Sequence, residues 1–378
     1  MMRAALGNLA RDCEATLAAE IEAGRVGGGA ACLRDVASGE QHTVFMGRNA
    51  PDGPPVSLDS VVRLYSMTKP MLATLALRLI DAGLLPGLDM RVSELAAGVD
   101  GVRVPPTMTL RHLLTMSSGL AGSKEHERMQ RVYRAAGVLP YDYTERGYGT
   151  DETDFLRRVL GCELSAAPGA QWEYGRSADV AGLLIQHHLG TPLDALFRAY
   201  LFEPLGMASS GFFLPPDLTA DVVLQPLADP PTGESLADLR RTSGFRSAGS
   251  GGLASLRDYL AFLQAVFFPA PDSAFLSESA RVELLSDQIA GLHDTGPDYI
   301  PGPGWGFGLN FKISPRYCGP GTARRAAWLG RAGTSFLVDL ENELILLFAA
   351  PSYGRTRILQ ATFAELADRH LPQVASAR

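Results

Sequence analysis

The sequence predicts an α/β protein in which strands from both ends of the chain build one sheet, helices flank that sheet, and an all-helical segment is inserted between the ends. Three observations carry this prediction. Short apolar runs of strand character occur near 30–47 and again at 305–350. Between about residues 86 and 245 the apolar positions recur at helical spacing, separated by polar loops. Helical patterns also open and close the chain. Alternation of this kind implies an α/β domain over 1–85 and 246–378 and a mostly helical domain over 86–245. A cleft between the two is the natural place for a site.

Taken in order, residues 1–24 form an amphipathic helix. Arg3, Arg11, Asp12, Glu14 and Glu20 interrupt any apolar core a secretory signal would need. After Gly27-Gly28-Gly29, the runs AACLRDV and HTVFMG, separated by Ala37-Ser38-Gly39-Glu40, read as a β-hairpin. MTKPMLATLALRLIDAG has helical spacing, with Pro70 near its start, where a missing N–H costs little, and Gly83 as its stop. LRHLLTMSSGL reads as a short helix ending at Gly119, and ADVAGLLIQHHLG and LDALFRAYLFEPLGM as two more. A Pro- and Arg-bearing loop covers 226–248, and SLRDYLAFLQAVF returns to helix. WGFGLNFKI, RAAWLGRAG, SFLVDL and ELILLFAA read as strands, and RILQATFAELADRHL as a closing helix.

Composition narrows the function. With 378 residues, 46% of them hydrophobic, the chain can bury a sizeable core. A net charge of −7 without a basic stripe argues against a nucleic-acid partner. No apolar run reaches the roughly 18–20 residues needed to span a bilayer, so a cytoplasmic protein is expected. Cys13, Cys32, Cys162 and Cys318 are scattered without C-x-x-C spacing, which suggests reduced thiols and neither a zinc site nor a disulfide framework. His187 and His188 are adjacent and so point to different helix faces, unlike a chelating i, i+4 pair. No metal or cofactor is expected. G-x-S-x-G and G-x-x-x-x-G-K-[ST] are both absent, which removes the α/β-hydrolase elbow and the phosphate loop.

What stands out is Ser66-Met67-Thr68-Lys69. The chain has three lysines, Lys69, Lys124 and Lys312, and with 25 serines chance alone supplies about 0.2 such Ser-x-x-Lys tetrads. Serine is a weak nucleophile without a neighbouring base. Positions i and i+3 of a helix share a face, and a desolvated lysine can serve as a base. A helix beginning at Ser66 would also aim backbone N–H groups at a developing oxyanion.

Four stretches around that tetrad resemble the serine β-lactamase-like superfamily, in its class C β-lactamase, carboxylesterase and D-stereospecific peptidase branch. They are VVRLYSMTKPMLATLALRLIDAGLL, MTLRHLLTMSSGL, PGAQWEYGRSADVAGLLIQHHLGTPLDALFRAYLFEPLGM and GSGGLASLRDYLAFLQ, in family order, and the likeness runs from about residue 27 to 350. The resemblance implies a β-lactamase/transpeptidase-like fold with an antiparallel sheet. It implies Ser66 as nucleophile, Lys69 as its partner and Tyr174 as general base or relay, a phenol whose ionised form a neighbouring lysine favours. The family's K-T-G or H-x-G strand is matched by Trp328-Leu329-Gly330, so the backbone N–H groups of Ser66 and Arg331 are expected to hold the oxyanion, with Trp328 and Gly330 lining the substrate. Gly333-Thr334 lies close enough to leave that register open by a residue or two.

Two departures shift the expected chemistry. The family's Y-x-N is Tyr174-Gly175-Arg176, and the lysine of K-T-G is Trp328. Both remove groups that suit β-lactams and D-peptides and leave a more apolar acyl site. The expected substrate is therefore a small-molecule ester or acyl donor, cleaved by a serine hydrolase. An acyltransferase is the alternative, and a catalytically silent binding protein is disfavoured by the intact Ser66/Lys69/Tyr174 set. His112 is expected to make a structural hydrogen bond. His293 and the cluster Tyr133, Tyr141, Tyr143 and Tyr148 are weaker candidates for substrate contact.

Overall fold

The computed structural model describes residues 2–122, 127–138, 151–227, 239, 245–270, 275–292, 299–316, 318–352 and 354–371. Its central element is a seven-stranded sheet, antiparallel at every pairing. The strands are β1 (Gly28–Asp35), β2 (Gln41–Gly47), β5 (Gly306–Phe307), β6 (Lys312–Ser314), β7 (Arg325–Gly330), β8 (Thr334–Asp339) and β9 (Leu344–Ala349). Their order is β2-β1-β9-β8-β7-β6-β5. The N-terminal hairpin thus docks on the last strand, through Ala30↔Ala349 to Asp35↔Leu344. A separate two-stranded ribbon pairs β3 (Val61–Arg63) with β4 (Leu253–Ser255).

The sheet is buried on both faces, which is why β9 reads LILLFA without alternation. On one face Ala31, Leu33, Leu344, Leu346 and Phe348 meet the two terminal helices, Met2–Glu22 and Thr356–His370. The first of these presents Leu6, Leu9, Cys13 and Leu17, spaced at three and four residues, as its buried stripe. Phe348 stacks on Phe363 with centroids 4.9 Å apart. Glu20 ties the same pair of helices together, accepting from Arg25 at 2.8 Å and Arg355 at 2.7 Å. On the other face Ala30, Cys32, Trp328, Phe336 and Leu347 join the main core, centred on the helix Thr68–Asp81. That helix is buried on nearly every side, leaving Arg78, Ile80 and Asp81 near its end less covered.

The expected hairpin at 28–47 forms with residues 36–40 as its connection. Gly83 ends the helix at 68–81 with φ +72°. Three readings need correction. WGFGLNFKI is two strands, because Asn310 takes φ +66° and Gly308 N–H closes a turn on Phe311 O at 2.9 Å. The helix expected to run to Gly119 covers Leu110–Leu114, since Met116 adopts φ +56°. LDALFRAYLFEPLGM is helical over Leu193–Phe197 and then widens into a π turn over Arg198–Phe202. The ribbon strands β3 and β4 are three residues each and carry no alternation, so sequence pattern could not reveal them. Among the described residues, no helix is long and apolar enough to cross a membrane.

Candidate active site

Ser66 lies in a single 3₁₀ turn, Tyr65–Met67, that feeds directly into the helix Thr68–Asp81. It therefore precedes the helix rather than beginning it, but Met67 and Thr68 keep right-handed helical dihedrals, so Lys69 still falls on the side of Ser66. Tyr65 holds φ +45°, an uncommon conformation for a non-glycine residue. The turn is pinned from two sides. Leu64 N–H bonds Gly252 O at 2.9 Å, and Tyr259 Oη donates to Met67 O at 2.9 Å from a fully buried position where its phenol is pushed well above its ordinary value. Ribbon β3–β4 thus places the segment 249–255 against the turn that carries Ser66.

Lys69 is fully buried. A buried ammonium needs partners, and Lys69 Nζ donates to Gly249 O at 2.7 Å and to Ser66 Oγ at 3.3 Å. It also lies 4.8 Å from the centroid of the Tyr174 ring. Ser66 and Tyr174 are partly exposed, and Ser66 Oγ shares a hydrogen bond of 2.6 Å with Tyr174 Oη. Tyr174, 108 residues away in sequence, therefore meets the Ser66–Lys69 pair at one oxygen, with the lysine sealed behind and the two hydroxyls partly exposed.

Tyr174 is held by the segment 116–122. Glu173 N–H bonds Met116 O at 2.8 Å, Gly122 N–H bonds Tyr174 O at 3.0 Å, and Arg176 N–H bonds Leu120 O at 3.0 Å. The approach is so close that a Cβ on Gly175 would sit 1.9 Å from Leu120 O, so only glycine fits after the tyrosine. Behind it, Trp172 packs edge-on against Tyr299 (5.1 Å) and Phe307 (5.3 Å), and Trp328 lies 6.2 Å from Tyr174 and 5.5 Å from Phe307.

The end of β7 closes the site from the sheet side. A Cβ on Gly330 would be 2.3 Å from Leu64 O, the carbonyl that accepts Met67 N–H at 3.0 Å to form the Ser66 turn. Gly330 thus abuts the residues that shape Ser66, and Arg331 is the next residue, at the start of the hairpin turn to β8. Gly333 instead packs against Ala350 O, where its Cβ would come within 2.3 Å. Of the two glycines, Gly330 is the one whose backbone abuts the Ser66 turn, through Leu64 O.

The sequence profile described as Beta-lactamase matches residues 13–368. The chain belongs to the beta-lactamase family. It is similar to Esterase EstB of Burkholderia gladioli, with 31% identity over 319 residues and 76% of each chain covered. It is also similar to the ML-236A carboxylate methylbutanoyltransferase mlcH of Penicillium citrinum, at 30% identity over 184 residues, 44% of this chain and 41% of that one. Among solved structures, EstCE1, a hydrolase with promiscuous acyltransferase activity, superposes with a TM-score of 0.73 at 22% identity, over 94% of this chain and 98% of that one. That likeness establishes the β-lactamase/transpeptidase-like fold.

Within this beta-lactamase framework the structure brings Ser66, Lys69, Tyr174, Trp328 and Gly330 to one place. Arg176, where the family motif has asparagine, is fully buried, with its guanidinium 4.5 Å from the Tyr133 ring and 5.9 Å from Phe155. It fills the core behind the tyrosine loop. The same burial takes Tyr133, whose phenol it pushes up, out of reach of substrate. Tyr141, Tyr143, Tyr148 and His293 lie outside the described residues. His112 caps its own helix, its Nδ1 accepting Thr109 N–H at 3.1 Å. His187 Nε2 bonds Ala97 O at 2.8 Å. Among the described residues no three His, Cys, Asp or Glu side chains cluster as metal ligands would. Sequence reading missed Gly249, whose carbonyl anchors Lys69, and Asp179, which holds Gly249. Both lay inside quoted matching stretches, but nothing in their spacing marks a contact across 180 residues.

Proposed function

We propose that the protein hydrolyses small carboxylic esters through an acyl-enzyme on Ser66. Membership of the beta-lactamase family and the esterase relative make it a serine hydrolase. The observation that supports the residue roles best is that Ser66 Oγ is bonded at once to Tyr174 Oη, at 2.6 Å, and to Lys69 Nζ, at 3.3 Å. In this reading Ser66 Oγ attacks the ester carbonyl while its proton passes to the phenolate oxygen of Tyr174. The Lys69 ammonium, 3.3 Å from Ser66 Oγ and 4.8 Å from the centre of the Tyr174 ring, offsets the negative charge on that relay. The carbonyl oxygen becomes an oxyanion between the backbone N–H groups of Ser66 and Arg331, donors that cost no reorganisation when charge develops. Tyr174 then returns the proton to the departing alkoxide. Water, deprotonated by the phenolate this leaves, attacks the acyl-enzyme, and the acid departs as Tyr174 returns that proton to Ser66 Oγ. Each proton transfer by a positioned group contributes on the order of 10²–10⁴-fold, and each oxyanion donor about 10²–10³-fold.

The aromatic surroundings of Tyr174 and the absence of a second cation at position 328 favour an uncharged ester over a carboxylate-bearing β-lactam or D-peptide. Four cysteines without a disulfide fit a cytoplasmic setting. Acyl transfer is the second reading, favoured by the methylbutanoyltransferase relative. It differs only in the acceptor, an alcohol or amine in place of water. A p-nitrophenyl ester series, run with and without short alcohols and amines, separates the two. Release of p-nitrophenol with free acid as sole product supports hydrolysis, and acylated acceptor formed in preference to acid supports transfer. Full turnover by Ser66→Ala would end both readings.

A further inference from the structure

The mechanism uses Lys69 without explaining what aims it. Among the described residues Lys69 is the cation bonded to Ser66, and its shortest hydrogen bond is the one of 2.7 Å to a backbone carbonyl, Gly249 O. Such a carbonyl directs the ammonium only as well as its own turn is fixed. That turn runs over 247–251, closed by Gly251 N–H on Ser247 O at 2.7 Å. What holds it is Asp179. This side chain is fully buried in the first turn of the helix Ser177–Leu189, and its Oδ1 accepts from Ser247 Oγ at 2.6 Å and from Gly249 N–H at 2.9 Å.

The fit is tight on both sides. A Cβ on Gly249 would lie 3.1 Å from Asp179 Oδ1, closer than most side-chain contacts allow. Three residues along the same helix face, a Cβ on Gly182 would come within 2.3 Å of the Ala248 methyl. The turn is therefore seated on the helix by a carboxylate at one residue and by bare backbone one turn later. That same helix begins three residues after Tyr174. A single stretch, 174–182, thus delivers both the Tyr174 oxygen to Ser66 and the anchor that sets Lys69.

We propose that Asp179 is a positioning residue that fixes Lys69 through the Ser247–Gly251 turn and so coordinates Lys69 with Tyr174. This inference rests on the Ser66/Lys69/Tyr174 reading above. A buried charged acceptor bonding two donors holds them more firmly than neutral groups would, and leaving both donors unpaired lets the turn drift. A drift near 1 Å at a catalytic group costs about 10²-fold.

The test measures kcat and KM for p-nitrophenyl acetate, normalised to sites titrated by a fluorophosphonate, and the rate of Ser66 phosphonylation, in Asp179→Ala, Asp179→Asn, Ser247→Ala, Lys69→Ala and the Asp179→Ala/Lys69→Ala double variant. The expected results are a kcat about 10²-fold lower in Asp179→Ala with KM within threefold, recovery to within about tenfold of wild type in Asp179→Asn, which keeps the accepting oxygen, and a smaller loss of about 3–10-fold in Ser247→Ala. In the Lys69→Ala background, removing Asp179 should slow phosphonylation by less than twofold further. If Asp179→Ala does not fold, Ser247→Ala and Asp179→Asn carry the same comparison. Wild-type kcat per titrated site in Asp179→Ala or Ser247→Ala overturns the inference, as does a full additional loss in the Lys69→Ala background. Wild-type activity in Lys69→Ala would instead overturn the parent reading.

Discussion

Replacing Gly330 with alanine should disable catalysis without dissolving the fold. The added Cβ would stand 2.3 Å from Leu64 O and 2.4 Å from Thr334 Oγ1. Thr334 can turn its hydroxyl aside. The Leu64 carbonyl cannot, because it accepts Met67 N–H in the nucleophile turn and Leu64 N–H is itself bonded to Gly252. Real Cβ contacts essentially never fall under 3.0 Å, so the two backbones must part by at least 0.7 Å. The strand has little room to retreat, since Gly330 O accepts from the buried Gln360 side chain at 2.8 Å. Part of the separation therefore falls on Ser66 and part on the N–H of Arg331. A displacement approaching 1 Å costs roughly 10²-fold in rate, close to the loss of one oxyanion donor, or about 2.7 kcal/mol of transition-state stabilisation. Steady-state hydrolysis of p-nitrophenyl acetate, with circular dichroism and thermal melts as controls, should show kcat down about 10²-fold, KM within threefold and a folded protein. Gly333→Ala, whose clash is with Ala350 on the other side of the hairpin, should lower the melting temperature but leave kcat per titrated site near wild type. A Gly330→Ala enzyme within threefold of wild-type kcat would refute the placement of the oxyanion donors.

Further outcomes follow from the same geometry. Tyr174→Phe keeps the ring packing but removes the oxygen 2.6 Å from Ser66, so kcat should fall about 10²–10⁴-fold with little change in melting temperature; retained turnover would remove Tyr174 from the proton relay. Glu20, bonded to Arg25 and Arg355, has its carboxyl lowered from 4.5 to about 2. Its folded-state value is the lower one, so its stabilisation is complete above pH 4.5 and is lost as pH falls toward 2. The full shift bounds this at about 3 kcal/mol, reduced because Arg25 is 44% exposed. In urea melts the stability gap between wild type and Glu20→Gln should narrow from pH 7 to pH 3.5, and a constant gap would contradict the assignment. Burial pushes the thiols of Cys13 and Cys32 up to about 12, so iodoacetamide at pH 8 should label Cys162 and Cys318 first in the native protein, as peptide mapping would report.

Local chemistry explains which of these features could be read from sequence. The Ser66–Lys69 spacing, the Gly83 stop and the hairpin at 28–47 depend on residues within a few positions of one another, and all are found in the fold. The sheet's two-ended origin was legible because β9 and its neighbours are apolar on both faces. The short strands β3 and β4 were not, since three residues give no period. Asn310 and Met116 adopt left-handed backbones that their side chains do not announce, so the pattern suggests one unbroken strand and one longer helix than the fold contains. The anchoring of Lys69 by Gly249 and Asp179, and the approach of Gly330 to the Ser66 turn, depend on contacts between residues 70 to 266 positions apart. Only the folded chain brings those residues together.

The central claim is that Ser66 is the nucleophile. Wild type and Ser66→Ala should be treated with a fluorophosphonate and the adduct mapped by peptide mass spectrometry. The account predicts stoichiometric label on the peptide containing Ser66, slowed in Lys69→Ala and Tyr174→Phe, and none in Ser66→Ala. Label on any other serine, or a wild-type protein that stays unlabelled, would contradict it.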